Sequence, residues 1–419
     1  MVIKPEAAGM CADRLERVTR HIERRYIEPG KIAGCQVLVA RHGHVTYFRS
    51  FGQMDLERQK PLRDDTIFRI YSMTKPITSV ALMALYEHGH FQLADPVQRF
   101  IPEWEGLEVY ESGSPEDFKT RPCERPMTVR DVLMHTSGLS YGGDPDHPVD
   151  AAYQQRGLRT HEGATLESLV KELASIPLKF SPGTRWHYSY STDVCARLVE
   201  VISGQRFDAY LDEHVFGPLQ MVDTGFTVPP EKVDRFAANY GRRRDRTLML
   251  MDDPAKSMYL KPRSFLSGGG GLVSTTSDYL RFCQMLLNGG ELEGERILGR
   301  KTIELMTRNH LPGGQDLAGL AFGGFSETPY GGVGFGLGFA VSLGDVATQA
   351  VGSESNYYWG GAASTIFWND AIEDLVVIFM TQLMPSNTFN FRGQLKNLVY
   401  PAIVDAGVPR PLSAASRHQ

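Results

Sequence analysis

Ser72 and Lys75, in the run Ser72-Met73-Thr74-Lys75, have the types and spacing for covalent chemistry on a carbonyl. A serine hydroxyl is a weak nucleophile until a neighbour takes its proton, and a desolvated or charge-crowded lysine can be that neighbour. Residues three apart share a helix face, and the next dozen residues have a helical pattern. Ile77, Val80, Ala81, Ala84 and Leu85 recur at i, i+3, i+4, i+7 and i+8, the period of a helix buried along one face. Pro76 fits only in the first turn, where N–H groups lack intrahelical partners. Residues 66–71 read as a short strand or extended lead-in, so Ser72 falls at a helix N-terminus, where the dipole favours developing negative charge. The chemistry indicated is acyl transfer through an acyl-serine.

The spacing alone decides nothing, because on the order of one or two chance S-x-x-K matches are expected at this length. A second is present, Ser168-Leu169-Val170-Lys171, inside an amphipathic helix whose apolar side is Leu166, Leu169, Val170 and Leu173. Ser168 is therefore expected on the surface. Two other segments distinguish the first copy. Trp186-His187-Tyr188-Ser189-Tyr190 comes after a Pro182-Gly183 turn and precedes a helix over 193–202, so Tyr188 is held at a loop-to-helix junction facing a cleft. Beside a lysine ammonium its phenol is expected to acidify and serve as general acid or base. In Tyr358-Trp359-Gly360-Gly361-Ala362 the paired glycines suit a strand edge that another backbone or a ligand approaches closely. Such an edge beside a nucleophile can offer an N–H to an oxyanion.

In this order the three segments resemble the motifs of the serine β-lactamase and penicillin-binding protein superfamily, in its class C-like branch, and most of all a family VIII carboxylesterase. The resemblance spans nearly the whole chain, with support from His135-Thr136-Ser137-Gly138-Leu139, Phe180-Ser181-Pro182-Gly183-Thr184 and the stretch 268–275 ahead of Asp278. It implies an α+β fold, an antiparallel sheet flanked by helices with a mainly helical domain inserted. It implies Ser72 as the acylated nucleophile, Lys75 as its activating partner, and Tyr188 as the group that protonates the leaving alcohol and helps activate water. The oxyanion N–H groups it implies are those of Ser72 and Ala362. Which of Lys75 and Tyr188 is the base in each half-reaction stays open.

Two departures bear on substrate. Lactamases and peptidases open the third motif with lysine, where Trp359 stands here, and close the second with asparagine, where Tyr190 stands. Losing the ammonium removes a partner for a substrate carboxylate, an interaction of roughly 1.5–3 kcal/mol. Tyr190, Trp359, Gly360 and Gly361 are then expected to line a substrate site for small uncharged esters. The expected reaction is carboxylic ester hydrolysis. Acyl transfer to an alcohol, β-lactam or D-amino-acid peptide cleavage, and a non-catalytic scaffold are the alternatives.

Other patterns lead elsewhere. Gly138-Leu139-Ser140-Tyr141-Gly142 matches the G-x-S-x-G nucleophile elbow, which needs a strand before it and a helix after it. Here a helix precedes it and a loop comes after. His42-Gly43-His44 reads as a hairpin turn and Gly89, within His88-Gly89-His90, as a helix cap, with no metal-ligand spacing nearby. The run Gly268–Gly271 lacks the Lys-Ser/Thr of a phosphate loop, and Gly332, Gly334, Gly336 and Gly338 alternate as in a strand. No cofactor or metal is expected.

The scaffold around these residues is read from the remaining pattern. Helix is expected over 6–25, strands over 34–39 and 45–51, helix and loop with few strands over 72–288, strands over 334–341, 356–359, 364–368 and 375–381, and a helix over 391–406. Strands at both ends imply one sheet built from both termini. The expected division is 1–71 with 289–419 as the sheet domain and 72–288 as the helical domain, the site between them. Segments 141–162 and 240–265 are expected to border the cleft. With 42% hydrophobic residues in 419 the chain can bury one large core or two smaller ones. A net charge of −5 gives no reason to expect nucleic acid, and Arg242-Arg243-Arg244 with Arg246 reads as a solvated turn. The five cysteines lack C-x-x-C spacing, and the charged first 25 residues carry no apolar leader. These features suit a cytoplasmic protein that acts on a small-molecule ester without a membrane. They set no oligomeric state.

Overall fold

The computed structural model describes residues 3–158, 163–322 and 330–405. Its largest sheet joins three strands near the N-terminus, β1 (Gly34–Arg41), β2 (His44–Asp55) and β3 (Lys60–Pro61), to five near the C-terminus. The latter are β4 (Val333–Phe335), β5 (Ala340–Ser342), β6 (Tyr357–Gly360), β7 (Ile366–Asp370) and β8 (Leu375–Thr381). The order is β4-β5-β6-β7-β8-β1-β2-β3, antiparallel throughout. β1 and β8 pair in register from Cys35 opposite Thr381 to Arg41 opposite Leu375. Every residue of both strands is buried, as strands covered on both faces require. The β1–β2 turn is His42-Gly43, both at positive φ (51° and 72°), the backbone that matches strand twist.

Helix α1 (Ala12–Ile22) turns Leu15, Val18 and Ile22 inward and packs on the last helix, Phe391–Val399, with a π-turn at Glu23–Ile27 completing the expected 6–25 stretch. Residues 400–402 form a short 3-10 turn, and residue 406, the end of the expected last helix, lies outside the described residues. The helix Thr276–Leu287 lies against β8, fastened by Asn369 Nδ2 donating to the Cys283 carbonyl (3.0 Å) and by Thr276 Oγ1 donating to Gln36 (2.5 Å). The sheet's cover therefore draws on residues from within the 72–288 stretch.

Three expectations are corrected. The run 334–341 is two strands: Gly338 turns at φ 97° and has no room for a Cβ, which would lie 2.2 Å from Ser79 Oγ. The middle stretch carries more β-structure than its pattern suggests, with hairpins Glu108–Ser114/Asp117–Pro122 and Asn239–Arg242/Leu248–Asp252. The strands of the first hairpin are polar and largely exposed and present no alternating apolar face, and those of the second are only four and five residues long. Asn239–Arg242 also pairs parallel with Leu383–Met384, and Phe68–Arg69 pairs antiparallel with Val273–Ser274, so short ladders stitch the middle to both ends. Third, helix α2 (Thr74–Glu87) is buried along Thr74 to Leu85 on every side, not along one face. Its polar members find partners: Thr78 Oγ1 donates to the Gly268 carbonyl (2.8 Å), and Thr74 Oγ1 accepts from the Leu272 N–H (3.2 Å).

Candidate active site

Ser72 lies in a 3-10 turn, Tyr71–Met73, that runs directly into α2. Tyr71 has φ 41°, a left-handed conformation that bulky residues seldom adopt. Asn239 Nδ2 donates to its hydroxyl at 3.0 Å. This backbone bend tips Ser72 into a cavity of about 860 Å³, whose walls include Tyr71, Tyr141, Tyr188, Gly269, Gly270 and Ala362. Both expected border segments contribute, through Tyr141, Gly143, Asp144 and Asp150 and through Met258, Tyr259, Arg263 and Phe265. Residues 159–162 of the first lie outside the described residues.

Lys75, one turn along and almost fully buried, places Nζ 3.1 Å from Ser72 Oγ and donates to the Gly269 carbonyl at 2.6 Å. The same Nζ lies 4.4 Å from the centre of the Tyr188 ring. Tyr188 hydrogen-bonds Ser72 through its side chain and accepts from Trp359 Nε1 at 3.3 Å. The structure thus brings Ser72, Lys75, Tyr188 and Trp359 into one connected cluster. The expected acidification of Tyr188 does not hold: burial pushes its phenol well above the ordinary tyrosine value, and the hydrogen bonds to Ser72 and Trp359 only partly oppose this. At neutral pH the hydroxyl therefore keeps its proton.

Gly361 explains the paired glycines. A Cβ there would lie 2.3 Å from Thr365 Oγ1 and 2.4 Å from the Ile70 carbonyl, two residues before Ser72. Only glycine lets the end of β6 lie against the nucleophile's own segment. With Gly361 N–H bonded to Thr365 O (2.7 Å), the next residue, Ala362, reaches the cavity wall. Among the described residues no acceptor takes the backbone N–H of Ser72 or of Ala362. Both residues line the cavity, so two backbone N–H groups without an acceptor belong to its wall.

The four expected substrate residues are placed differently. Tyr190, Trp359, Gly360 and Gly361 are absent from the cavity lining. Tyr190 packs edge-on behind Tyr141, ring centres 4.7 Å apart, so it shapes the wall from the second layer. Trp359 acts through its N–H on Tyr188 and stacks edge-on against Phe335 at 5.5 Å. Tyr141, at the start of the expected 141–162 border, lines the cavity in front of Tyr190.

The decoys resolve locally. Ser168 completes a capping box, its Oγ accepting from Thr165 N–H (2.9 Å) while Lys171 pairs with Glu167 (2.5 Å). Ser140 sits in a loop after the helix Val129–Met134, fully buried, with Oγ 3.1 Å from His187 Nε2 and accepting from Gly142 N–H. No strand–turn–helix presents it. His42 bonds Asp374 (3.0 Å), and Arg243, Arg244 and Arg246 are exposed at a hairpin tip. His135 is held neutral: burial, then the Lys75 charge, push it well below the ordinary histidine value.

Sequence reasoning missed what holds Lys75. Ser267 to Gly271 wedge between α2 and the helix Ser191–Ser203, where a Cβ on Gly268, Gly269 or Gly271 would come within 2.6–2.8 Å of a neighbour. The glycine run was a legible signal, with close packing rather than phosphate as its reason.

A cavity serine hydrogen-bonded to a lysine and a tyrosine thus accompanies a sheet built from both chain ends. The Beta-lactamase family model matches residues 19–399, and the chain belongs to that family. It is 33% identical over 366 residues to Protein Rv1367c of Mycobacterium tuberculosis, covering 86% of this chain and 88% of that one. It is 30% identical over 370 residues to Esterase EstB of Burkholderia gladioli, covering 84% and 86%. Among solved structures it is similar to EstCE1, described as a hydrolase with promiscuous acyltransferase activity, with a TM-score of 0.78, 25% identity, and 93% and 99% coverage. No helix among the described residues is long and apolar enough to cross a membrane.

Proposed function

We propose that the chain is a serine carboxylesterase working through an acyl-enzyme on Ser72. The observation that carries this reading is Ser72 Oγ, 3.1 Å from Lys75 Nζ in a cavity that Ala362 also lines. Ser72 Oγ attacks the ester carbonyl carbon as its proton passes to Lys75, in the fraction of the enzyme whose lysine is unprotonated. The C–O⁻ that forms is held by the Ser72 and Ala362 N–H groups. As the intermediate collapses, the ester C–O bond breaks and the leaving alkoxide takes the Tyr188 proton, which Lys75 replenishes. Water then attacks acyl-Ser72, its proton leaving through the same pair, and releases the acid. The raised Tyr188 phenol supports Tyr188 as the donor and Lys75 as the base in acylation. A position occupied by Trp359 offers no ammonium to a penicillin carboxylate, so simple esters are the favoured class. The cleft divides residues 1–71 and 289–419 from 72–288 in this reading, and the protein acts in the cytoplasm.

Hydrolysis of p-nitrophenyl butyrate and of nitrocefin, in wild type and Ser72→Ala, tests it. Ester turnover lost in the variant, with little on nitrocefin, supports the proposal. Full ester turnover in Ser72→Ala removes it. EstCE1's promiscuous acyl transfer favours one second reading, capture of the acyl group by an alcohol. A transesterified product formed with added alcohol at the expense of acid would establish that route.

A further inference from the structure

Resting on that reading of Ser72 and Lys75, we propose that Asp193 is the positioning residue for Lys75. It holds the 267–269 turn so that the Gly269 carbonyl meets Nζ, and it supplies the fixed charge behind the pair.

Asp193 is fully buried in the first turn of the helix Ser191–Ser203. Its Oδ1 accepts from Ser267 Oγ (2.6 Å) and from the Gly269 N–H (3.1 Å). The two bonds grip the turn from one side, and the Gly268 and Gly269 carbonyls emerge on the other. There they meet Thr78 Oγ1 at 2.8 Å and Lys75 Nζ at 2.6 Å, both on α2. One carboxylate oxygen thereby fixes the acceptor that fixes the lysine. A lysine side chain has several rotamers, and holding this one within reach of Ser72 Oγ is what a base needs before its proton affinity matters.

The second oxygen, Oδ2, is buried with no hydrogen-bond partner. A carboxylate left half-satisfied in a core is costly, and two hydrogen-bonded neutral groups do not by themselves call for a charge. What faces it does. The titratable groups around it and the pair are Lys75, one carbonyl away on α2, Tyr188 and Cys195, both of which its charge pushes up, Tyr141, and His135, kept neutral with its ring 5.0 Å from that of Tyr188. The Tyr141 hydroxyl and Oδ2 both flank Gly269, at 2.8 and 2.7 Å from where its Cβ would stand. A negative charge here favours the protonated form of the lysine–tyrosine pair. It therefore sets the pH at which the pair can accept the serine proton.

The test is the pH profile of kcat/KM on p-nitrophenyl butyrate for wild type, Asp193→Asn, Asp193→Ala and Ser72→Ala, with a thermal melt of each. Asparagine keeps an acceptor for Ser267 and Gly269 but removes the charge. Its acidic limb is expected to move to lower pH, by about one unit. Asp193→Ala loses the grip as well, and its plateau is expected to fall about tenfold or more below that of Asp193→Asn. A purely structural carboxylate would lower the melting temperature without moving the limb, and that result overturns the proposal. Should neither Asp193 variant fold, Ser267→Ala, which removes the 2.6 Å bond, is expected to lose turnover severalfold, and wild-type turnover there overturns the proposal. Turnover surviving in Ser72→Ala removes the esterase reading and this inference with it. An inactive Ser72→Ala beside an unmoved limb removes this inference alone.

Discussion

Tyr188→Phe separates catalysis from folding at this site. The change deletes one oxygen that bonds Ser72 and receives the Trp359 N–H at 3.3 Å. Two net hydrogen bonds of about 1 kcal/mol each are lost, but a fully buried phenol no longer has to be desolvated. Trp359 is only partly buried, so its N–H can turn to water. Folding stability should change by about 1 kcal/mol. The catalytic loss is that of a general acid, 10²–10⁴-fold, or about 3–5.5 kcal/mol of transition-state stabilisation. Loss of activity therefore exceeds loss of stability about threefold or more. The assay is kcat/KM on p-nitrophenyl butyrate and on ethyl butyrate, with urea unfolding alongside. p-Nitrophenolate leaves without much help and ethoxide does not, so the larger loss belongs to the ethyl ester if Tyr188 gives the proton. Equal losses on both esters, activity within tenfold of wild type, or stability falling in step with activity would refute the reasoning.

Three other outcomes rest on particular contacts. Gly361→Ala puts a methyl 2.4 Å from the Ile70 carbonyl. It should cut kcat/KM a hundredfold or so by moving the Ala362 N–H, a loss of order 3 kcal/mol, with KM for a small ester less affected. Lys396 is buried, donates to Asn356 (3.3 Å), and is brought down by burial to about 8. Its folded value lies below the unfolded one, so its charge destabilises the fold below pH 8 and the penalty fades between pH 8 and 10.5. Lys396→Met should raise stability at pH 7 by about 1–2 kcal/mol and flatten that rise, as urea midpoints against pH would report. His135, neutral in the fold, binds its proton only when unfolded, so stability drops as pH falls below 6.5 by up to about 1.4 kcal/mol per unit. His135→Asn should show a shallower drop between pH 6.5 and 5 in the same measurement.

Much of this architecture was legible because its signals were local. The apolar period after Ser72, the His42-Gly43 turn and the uninterrupted apolar run of β8 each point to the element observed. The Ser72–Lys75–Tyr188 grouping was legible through motif order. What stayed hidden depends on contacts between distant segments. Nothing within 334–341 discloses that Ser79 stands where a Gly338 side chain would go. Tyr190 and Trp359 were expected on the cavity because of the residues they replace. Which layer a side chain reaches, however, depends on Tyr141 and Phe335, more than 20 residues away in sequence. Nothing in the sequence singles out Asp193, because its hydrogen-bond partner Ser267 lies 74 residues on. The Tyr188 expectation failed because burial of the phenol outweighs the hydrogen bonds from its neighbours that would lower it.

The central claim is that Ser72 carries the acyl group, and trapping answers it directly. Wild type, Ser72→Ala and Ser140→Ala are treated with a p-nitrophenyl alkylphosphonate, then measured as intact protein and mapped by peptide mass. The account predicts one phosphonyl adduct on the peptide containing Ser72, present in Ser140→Ala and absent in Ser72→Ala. An adduct on Ser140, or a wild-type enzyme that hydrolyses esters yet leaves Ser72 unmodified, would contradict it.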